Sequence, residues 1–186
     1  IHTVPFQDAV ANGKVSIVTE EIDKAFLAEA IKFSWPGSRS VRVMYSPLHG
    51  VGGFAVLPLL EAAGFQDVVV FGPHAKPDGN FTNVPGHVSN PENSVVFDAM
   101  IEEAKRDGTD IILATDPDCD RLGCAAPLSL NDRDHWATLN GNQIGALLTD
   151  YVLSKLKANG KLSPKAYVIK TLVTTELTRR VAESHG

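Results

Sequence analysis

Three short apolar runs with helical stretches between them restrict the possible folds of this chain more than any other feature. The runs Val41 to Tyr45, Val68 to Phe71 and Ile111 to Thr115 are rich in β-branched residues, and such runs read as buried strands. Between the first two, a helix is expected from about Gly53 to Ala63, with Gly64 in the left-handed position that follows a helix end. Pro58 inside it is a local conflict that should kink the helix or delay its start. Between the second and third, a long Pro-, Gly- and Asn-rich loop from Gly72 to Ser89 precedes a helix. Asn90 is its expected cap and Pro91 its first residue, and it carries Val96, Met100, Ile101 and Ala104 inward as far as Gly108. Strand, helix, strand, helix, strand is the order of a mostly parallel sheet flanked by helices, a three-layer α/β/α architecture.

The remaining segments extend that plan. Thr19 is placed to cap a helix running to about Phe33, with Ile22, Ala25, Phe26 and Ala30 on one face; Pro36-Gly37-Ser38 breaks it. Leu122 to Ala126 is expected to return antiparallel, and the polar stretch Ser129 to His135 reads as a linker or a hairpin tip. Asn142 then caps an amphipathic helix bearing Ile144, Leu147, Leu148, Tyr151 and Val152. Ala166 to Ile169 is expected as a strand delivering Lys170, followed by a helix from about Thr174 to Ser184. The later segments thus look like the start of a second α/β domain.

Open α/β sheets bind ligands beyond the carboxyl ends of their strands. His49-Gly50 follows the first strand, the Gly72 loop the second, and Asp116-Pro117-Asp118-Cys119-Asp120-Arg121 the third. Three acids at alternate positions should aim to one side. Two unit charges about 4 Å apart repel by roughly 4 kcal/mol at an effective dielectric near 20, so converging carboxylates hold either a proton or a cation. Oxygen-only ligands favour Mg²⁺, Mn²⁺ or Ca²⁺ over zinc. An EF-hand needs Gly at its sixth position and Glu at its twelfth, where this loop has Arg121 and Pro127. An aspartyl phosphatase of the haloacid-dehalogenase type also carries Asp-x-Asp after a strand, and a solvated acidic turn is the bland alternative.

The hexapeptide resembles the metal loop of the α-D-phosphohexomutases, the phosphoglucomutase/phosphomannomutase family. Four further segments resemble that family in the same order: Ser46-Pro47-Leu48-His49-Gly50-Val51-Gly52-Gly53, Asp78-Gly79-Asn80-Phe81 with Asn90-Pro91-Glu92, Asn140-Gly141-Asn142-Gln143-Ile144, and Val168-Ile169-Lys170-Thr171. The resemblance implies the family's second domain over residues 1–128, a linker at 129–135 and a truncated third domain over 136–186. It implies Mg²⁺ held by Asp116, Asp118 and Asp120, with Arg121 and Lys170 as catalytic residues and His49 and Lys170 touching a hexose phosphate. Set against this, a hydrogen-bonded structural role suits His49, a surface position suits Lys170, and the glycine cluster suits tight packing.

The family's phosphoserine loop, Thr-x-Ser-His-Asn-Pro, has no counterpart here. Ser89-Asn90-Pro91 lacks its His and fits the second-domain segment instead. With Ile1 at its start, the chain is expected to be a piece of a longer enzyme whose missing domains are its natural partners. A non-catalytic binding or assembly module that kept the fold remains the other class of reading. The net charge of −5 and the lack of a basic stripe argue against nucleic acid. No apolar run approaches the 18 residues of a membrane helix, and two cysteines suggest neither a disulfide framework nor a zinc site, compatible with a reducing cytoplasm.

Overall fold

The computed structural model describes residues 3–18, 20–129 and 131–186. They form two compact units, one ending at Ser34 and the other spanning Trp35–Gly186. The first unit holds helices α1 (Phe6–Ala11) and α2 (Glu20–Ala30), the latter tightening into a 3-10 turn at Ile31–Phe33. Glu20, Glu21 and Asp23 in the first turn of α2 suit the positive end of its dipole. The expected cap, Thr19, lies outside the described residues. Of its expected apolar face, Ile22, Ala25 and Phe26 are exposed and Ala30 is half-buried; no residue of this helix is fully buried.

The second unit is built on a five-stranded sheet: β1 (Val43–Ser46), β2 (Val68–Val70), β3 (Ile111–Thr115), β4 (Leu122–Ser129) and β5 (Asp132–Leu139), in the order β2-β1-β3-β4-β5. β1 runs parallel to both β2 and β3, while β4 and β5 return antiparallel. Helices α3 (Gly53–Ala62), α4 (Asp98–Asp107), α5 (Gly141–Ala158) and α6 (Glu176–Ser184) complete it. Met44 and Ile112 are paired neighbours on one face, and they pack with Met100 and Ala104 of α4, Phe71, Val84, Val96, Phe97 and Ala125. Tyr45, Val68 and Val70 point to the other face, where Leu57 of α3 and the two valines line one groove. Helices therefore cover both faces, as the strand order requires. Fully burying a side chain the size of Met100 contributes about 1.5–3 kcal/mol, so this core stabilises the sheet against unfolding.

Several boundaries move, each for a local reason. β1 begins at Val43 because the backbone of Arg42 is already used: its N–H donates to Asp110 Oδ2 at 2.7 Å and its carbonyl accepts from Asp110 N at 2.9 Å. Asn90 does not start a helix. Its side chain accepts from Glu92 N at 2.9 Å, and Asn93 caps a 3-10 turn, Ser94–Phe97, that leads into α4. Pro91 is held flat against β4, where a Cβ on Gly123 would overlap the Pro91 carbonyl. Gly108 closes α4 in the left-handed conformation, φ 78°.

Of the two readings of Ser129 to His135, the backbone adopts the hairpin, with Ser129 opposite Asp132. Asn140, not Asn142, caps α5 through a reciprocal box with Gln143, while Asn142 Oδ1 accepts from Thr175 N at 2.9 Å. Ala166 to Ile169 forms no strand. An isolated segment has no ladder to join, and Tyr167 and Ile169 stay 82% and 83% exposed.

Candidate metal centre

The loop after β3 is folded onto its first carboxylate. Asp116 is fully buried, and its Oδ1 accepts the Arg121 backbone N–H at 2.8 Å while its Oδ2 accepts Arg121 Nε–H at 2.9 Å. Its carbonyl accepts from Cys119 N at 3.0 Å, and Cys119 turns the chain with φ 64°. This double clamp puts Asp116 at the base of the loop and leaves Asp118 and Asp120 on its exposed outer half.

One carboxylate oxygen from each of Asp116, Asp118 and Asp120 lies within 4.8 Å of the others. Two oxygens on opposite sides of one ion, at ~2.1–2.4 Å from it, are about 4.2–4.8 Å apart, so the three donors fall within a single coordination shell. The loop's own electrostatics favour a cation. Repulsion from Asp118, followed by hydrogen bonding to Asp116 and its charge, raises the Asp120 carboxyl above the usual range. For Asp116, burial pushes upward, but the bonds from the backbone and side chain of Arg121, with a contribution from Asp118, hold it below the usual range. The hydrogen bond to Asp116 in turn raises the Arg121 guanidinium. Three carboxylates against one guanidinium leave an excess of negative charge that a divalent ion offsets, and hard oxygen donors suit Mg²⁺, Mn²⁺ or Ca²⁺.

A second turn braces the loop. After β1, Leu48 and His49 both adopt left-handed backbone angles, φ 44° and 67°, a conformation that costs about 1–2 kcal/mol for each non-glycine residue. The turn brings Val51 N–H to the Pro117 carbonyl at 2.9 Å. A Cβ on Gly50 would overlap the Pro117 backbone. One on Gly52 would overlap the hydroxyls of Tyr45 and Thr115, themselves hydrogen-bonded at 2.8 Å. The glycines thus permit close approach of two loops, which agrees with the packing reading of that cluster. Burial of Tyr45 at this junction pushes its phenol up to about 12.

His49 lies under this turn, 6% exposed. Its Nδ1–H donates to the Lys76 carbonyl at 2.7 Å, and its Nε2 is buried without a partner among the described residues. Lys170 sits in the turn ahead of α6, where its ammonium reaches Glu176 Oε1 at 2.7 Å and the Thr174 carbonyl at 3.1 Å. Among the described residues, no hydrogen bond or ion pair joins it to the aspartates. The structure therefore gathers Asp116, Asp118, Asp120 and Arg121, and links His49 to them through Gly50 and Pro117. The Val51–Pro117 brace and the Tyr45–Thr115 pair escaped the sequence reading. Only the small side chains at positions 50 and 52 signalled them.

Residues 21–128 match the profile of the phosphoglucomutase/phosphomannomutase alpha/beta/alpha domain II. The chain belongs to the phosphoglucomutase/phosphomannomutase family. A phosphomannomutase of Mycoplasmoides pirum is 29% identical over 177 residues, covering 92% of this chain and 31% of that protein. A phosphoglucomutase of Staphylococcus aureus (strain USA300) is 35% identical over 145 residues, covering 76% of this chain and 24% of its own length. The chain thus spans a third or less of the curated relatives it matches. A family structure from Burkholderia thailandensis superposes with a TM-score of 0.57 at 19% identity, over 80% of this chain and 31% of that one. That likeness shows a shared α/β fold.

Proposed function

We propose that this chain is the metal-loop portion of a phosphohexomutase, an intramolecular phosphotransferase interconverting hexose 1-phosphate and hexose 6-phosphate through a phosphoserine and a bisphosphate intermediate. The observation that carries the reading is the convergence of Asp116, Asp118 and Asp120 within 4.8 Å at the carboxyl end of β3 in a member of this family. These residues would hold Mg²⁺, which when bound withdraws charge from phosphoryl oxygens in the transition state. Arg121 contributes a guanidinium fixed by Asp116 through Nε, while its Nη nitrogens have no hydrogen-bond partner among the described residues. Those two nitrogens present the edge that pairs with a phosphoryl oxygen.

In the same reading Lys170 and His49 contact the sugar phosphate, Lys170 after release from Glu176. Residues 1–128 correspond to the second domain, 129–135 to the junction and 136–186 to the opening of the third. The phosphoserine belongs to another domain, so the 186-residue chain alone is expected to be inactive. Among the described residues no helix is long and apolar enough to cross a membrane, and the partners are the hexose phosphate and the remaining domains.

The test is complementation. The purified chain should show no phosphoglucomutase turnover by itself and should gain it when the remaining domains are supplied. It should also gain thermal stability from Mg²⁺: a ligand at a hundred times its Kd contributes about 2.7 kcal/mol. No response to Mg²⁺ together with no rescue would favour a non-catalytic module. Hydrolysis of a generic phosphate ester, abolished by Asp116→Asn, would favour a phosphatase.

A further inference from the structure

We propose that His74 is a positioning residue for the cation site, holding the left-handed turn that braces the aspartate loop. This rests on the cation reading given above. His74 is 1% exposed and touches the turn twice: its Nδ1 lies 3.0 Å from Ser46 Oγ, and its carbonyl accepts from His49 N at 3.0 Å. The proton positions follow from the partners. The Asn83 carbonyl only accepts, so His74 Nε2 carries the hydrogen in that 3.0 Å bond, and neutral Nδ1 accepts from the Ser46 hydroxyl. Ser46 Oγ in turn accepts the Leu48 N–H at 3.1 Å. The imidazole is further fixed edge-on against Phe71, with ring centroids 4.7 Å apart.

From this ring a chain of direct contacts leads to the aspartates. Ser46 and the His49 amide hold Leu48 and His49 in their left-handed angles. That geometry delivers Gly50 against the Pro117 backbone and Val51 N–H to the Pro117 carbonyl. Pro117 is the single residue between Asp116 and Asp118. Asp116 is independently clamped by Arg121, so a turn released from His74 shifts Asp118 relative to a fixed Asp116. The three-oxygen arrangement opens without any ligand being altered.

The two imidazole nitrogens can be replaced separately. Asn at this position presents an acceptor near Nδ1 and keeps the Ser46 bond. Gln presents a donor near Nε2, keeping the Asn83 bond and losing the Ser46 one. Mn²⁺ binding to the 186-residue chain, measured by electron paramagnetic resonance, reads the site without activity. His74→Gln is expected to weaken Mn²⁺ binding about tenfold, the lower end of what loss of supporting shells costs a metal site, and His74→Asn to retain most of it. Ser46→Ala, which also removes the acceptor of the Leu48 N–H, should weaken binding at least as much as the Gln variant, and adding the Gln substitution to it should cost nothing further.

Equal Mn²⁺ affinity in the parent and the Gln and Ala variants would overturn the proposal. So would losses that follow melting temperature and not the Ser46 bond. No Mn²⁺ binding by the parent chain would sink the cation reading itself and this inference with it, an outcome distinct from the other two.

Discussion

Gly50→Ala tests whether the two loops behave as one unit. The residue does not require positive φ, so alanine is conformationally acceptable and the effect is purely one of space. Its Cβ would overlap the Cα, carbonyl carbon and oxygen of Pro117. These are backbone atoms that cannot rotate aside as a flexible side chain would. One of the loops must move, and the Val51–Pro117 hydrogen bond breaks first. Overpacking of this kind costs about 1–3 kcal/mol and breaking a hydrogen bond about 0.5–1.5 kcal/mol. For a chain of this size the sum lowers Tm by roughly 5–15 °C.

Thermal melts followed by circular dichroism, with and without Mn²⁺, measure both halves of the expectation: a lower Tm, and loss of the upward shift on adding the ion. Gly53→Ala is the internal control. It lies at the start of α3 with no atom within 4 Å of an added Cβ, and should leave both quantities within about 2 °C of the parent. A Gly50→Ala chain that melts with the parent and keeps its ion response would refute the idea that Pro117 is held from the neighbouring turn.

Asp120→Asn removes the carboxylate that Asp118 and Asp116 repel; the ion-free chain should melt slightly higher and lose its Mg²⁺-dependent shift, both visible in one pair of melts. Burial, with the charge of His49 adding to it, holds the His74 pKa below its usual value. The unfolded chain therefore binds this proton first, and stability should be complete above about pH 6.5 and fall as pH drops below it. Urea midpoints at pH 7.5 and 5.5 should show the decline, and a His74→Phe chain should show a shallower one. Burial pushes the Cys124 thiol up to about 11, so a thiol reagent at pH 8 should label Cys124 only when urea unfolds the sheet, while the partly exposed Cys119 reacts in the native chain.

The parts of the fold readable in the residues were those set by local pattern. Ile111–Thr115 forms the strand its composition demands, and Gly64 and Gly108 end their helices with the positive φ that only glycine adopts cheaply. Caps were harder wherever asparagines crowd. Asn90, Asn93, Asn140 and Asn142 can all accept a backbone N–H, and the choice among them depends on tertiary partners such as Gly123 and Thr175. β5 was disguised as a polar tip because an edge strand needs little apolar surface. Its Arg133 instead donates to the Gly108 and Thr109 carbonyls and pairs with Asp110. Ala166 to Ile169 has the composition of a strand and none of the neighbours. The aspartate spacing announced a cluster; its brace, from a turn more than sixty residues earlier, left no trace in the sequence beyond the glycines at positions 50 and 52.

The double clamp on Asp116 makes the site mechanically uneven. One wall is set in the protein interior and cannot retreat, whereas Asp118 and Asp120 are arms reaching from solvent. An arriving ion would meet the arms first and be fitted against the wall last, so discrimination by radius would fall to the two side chains least able to impose it. Such a centre should accept Mg²⁺, Mn²⁺ and Ca²⁺ with similar ease and leave choice among them to whatever closes over the rim.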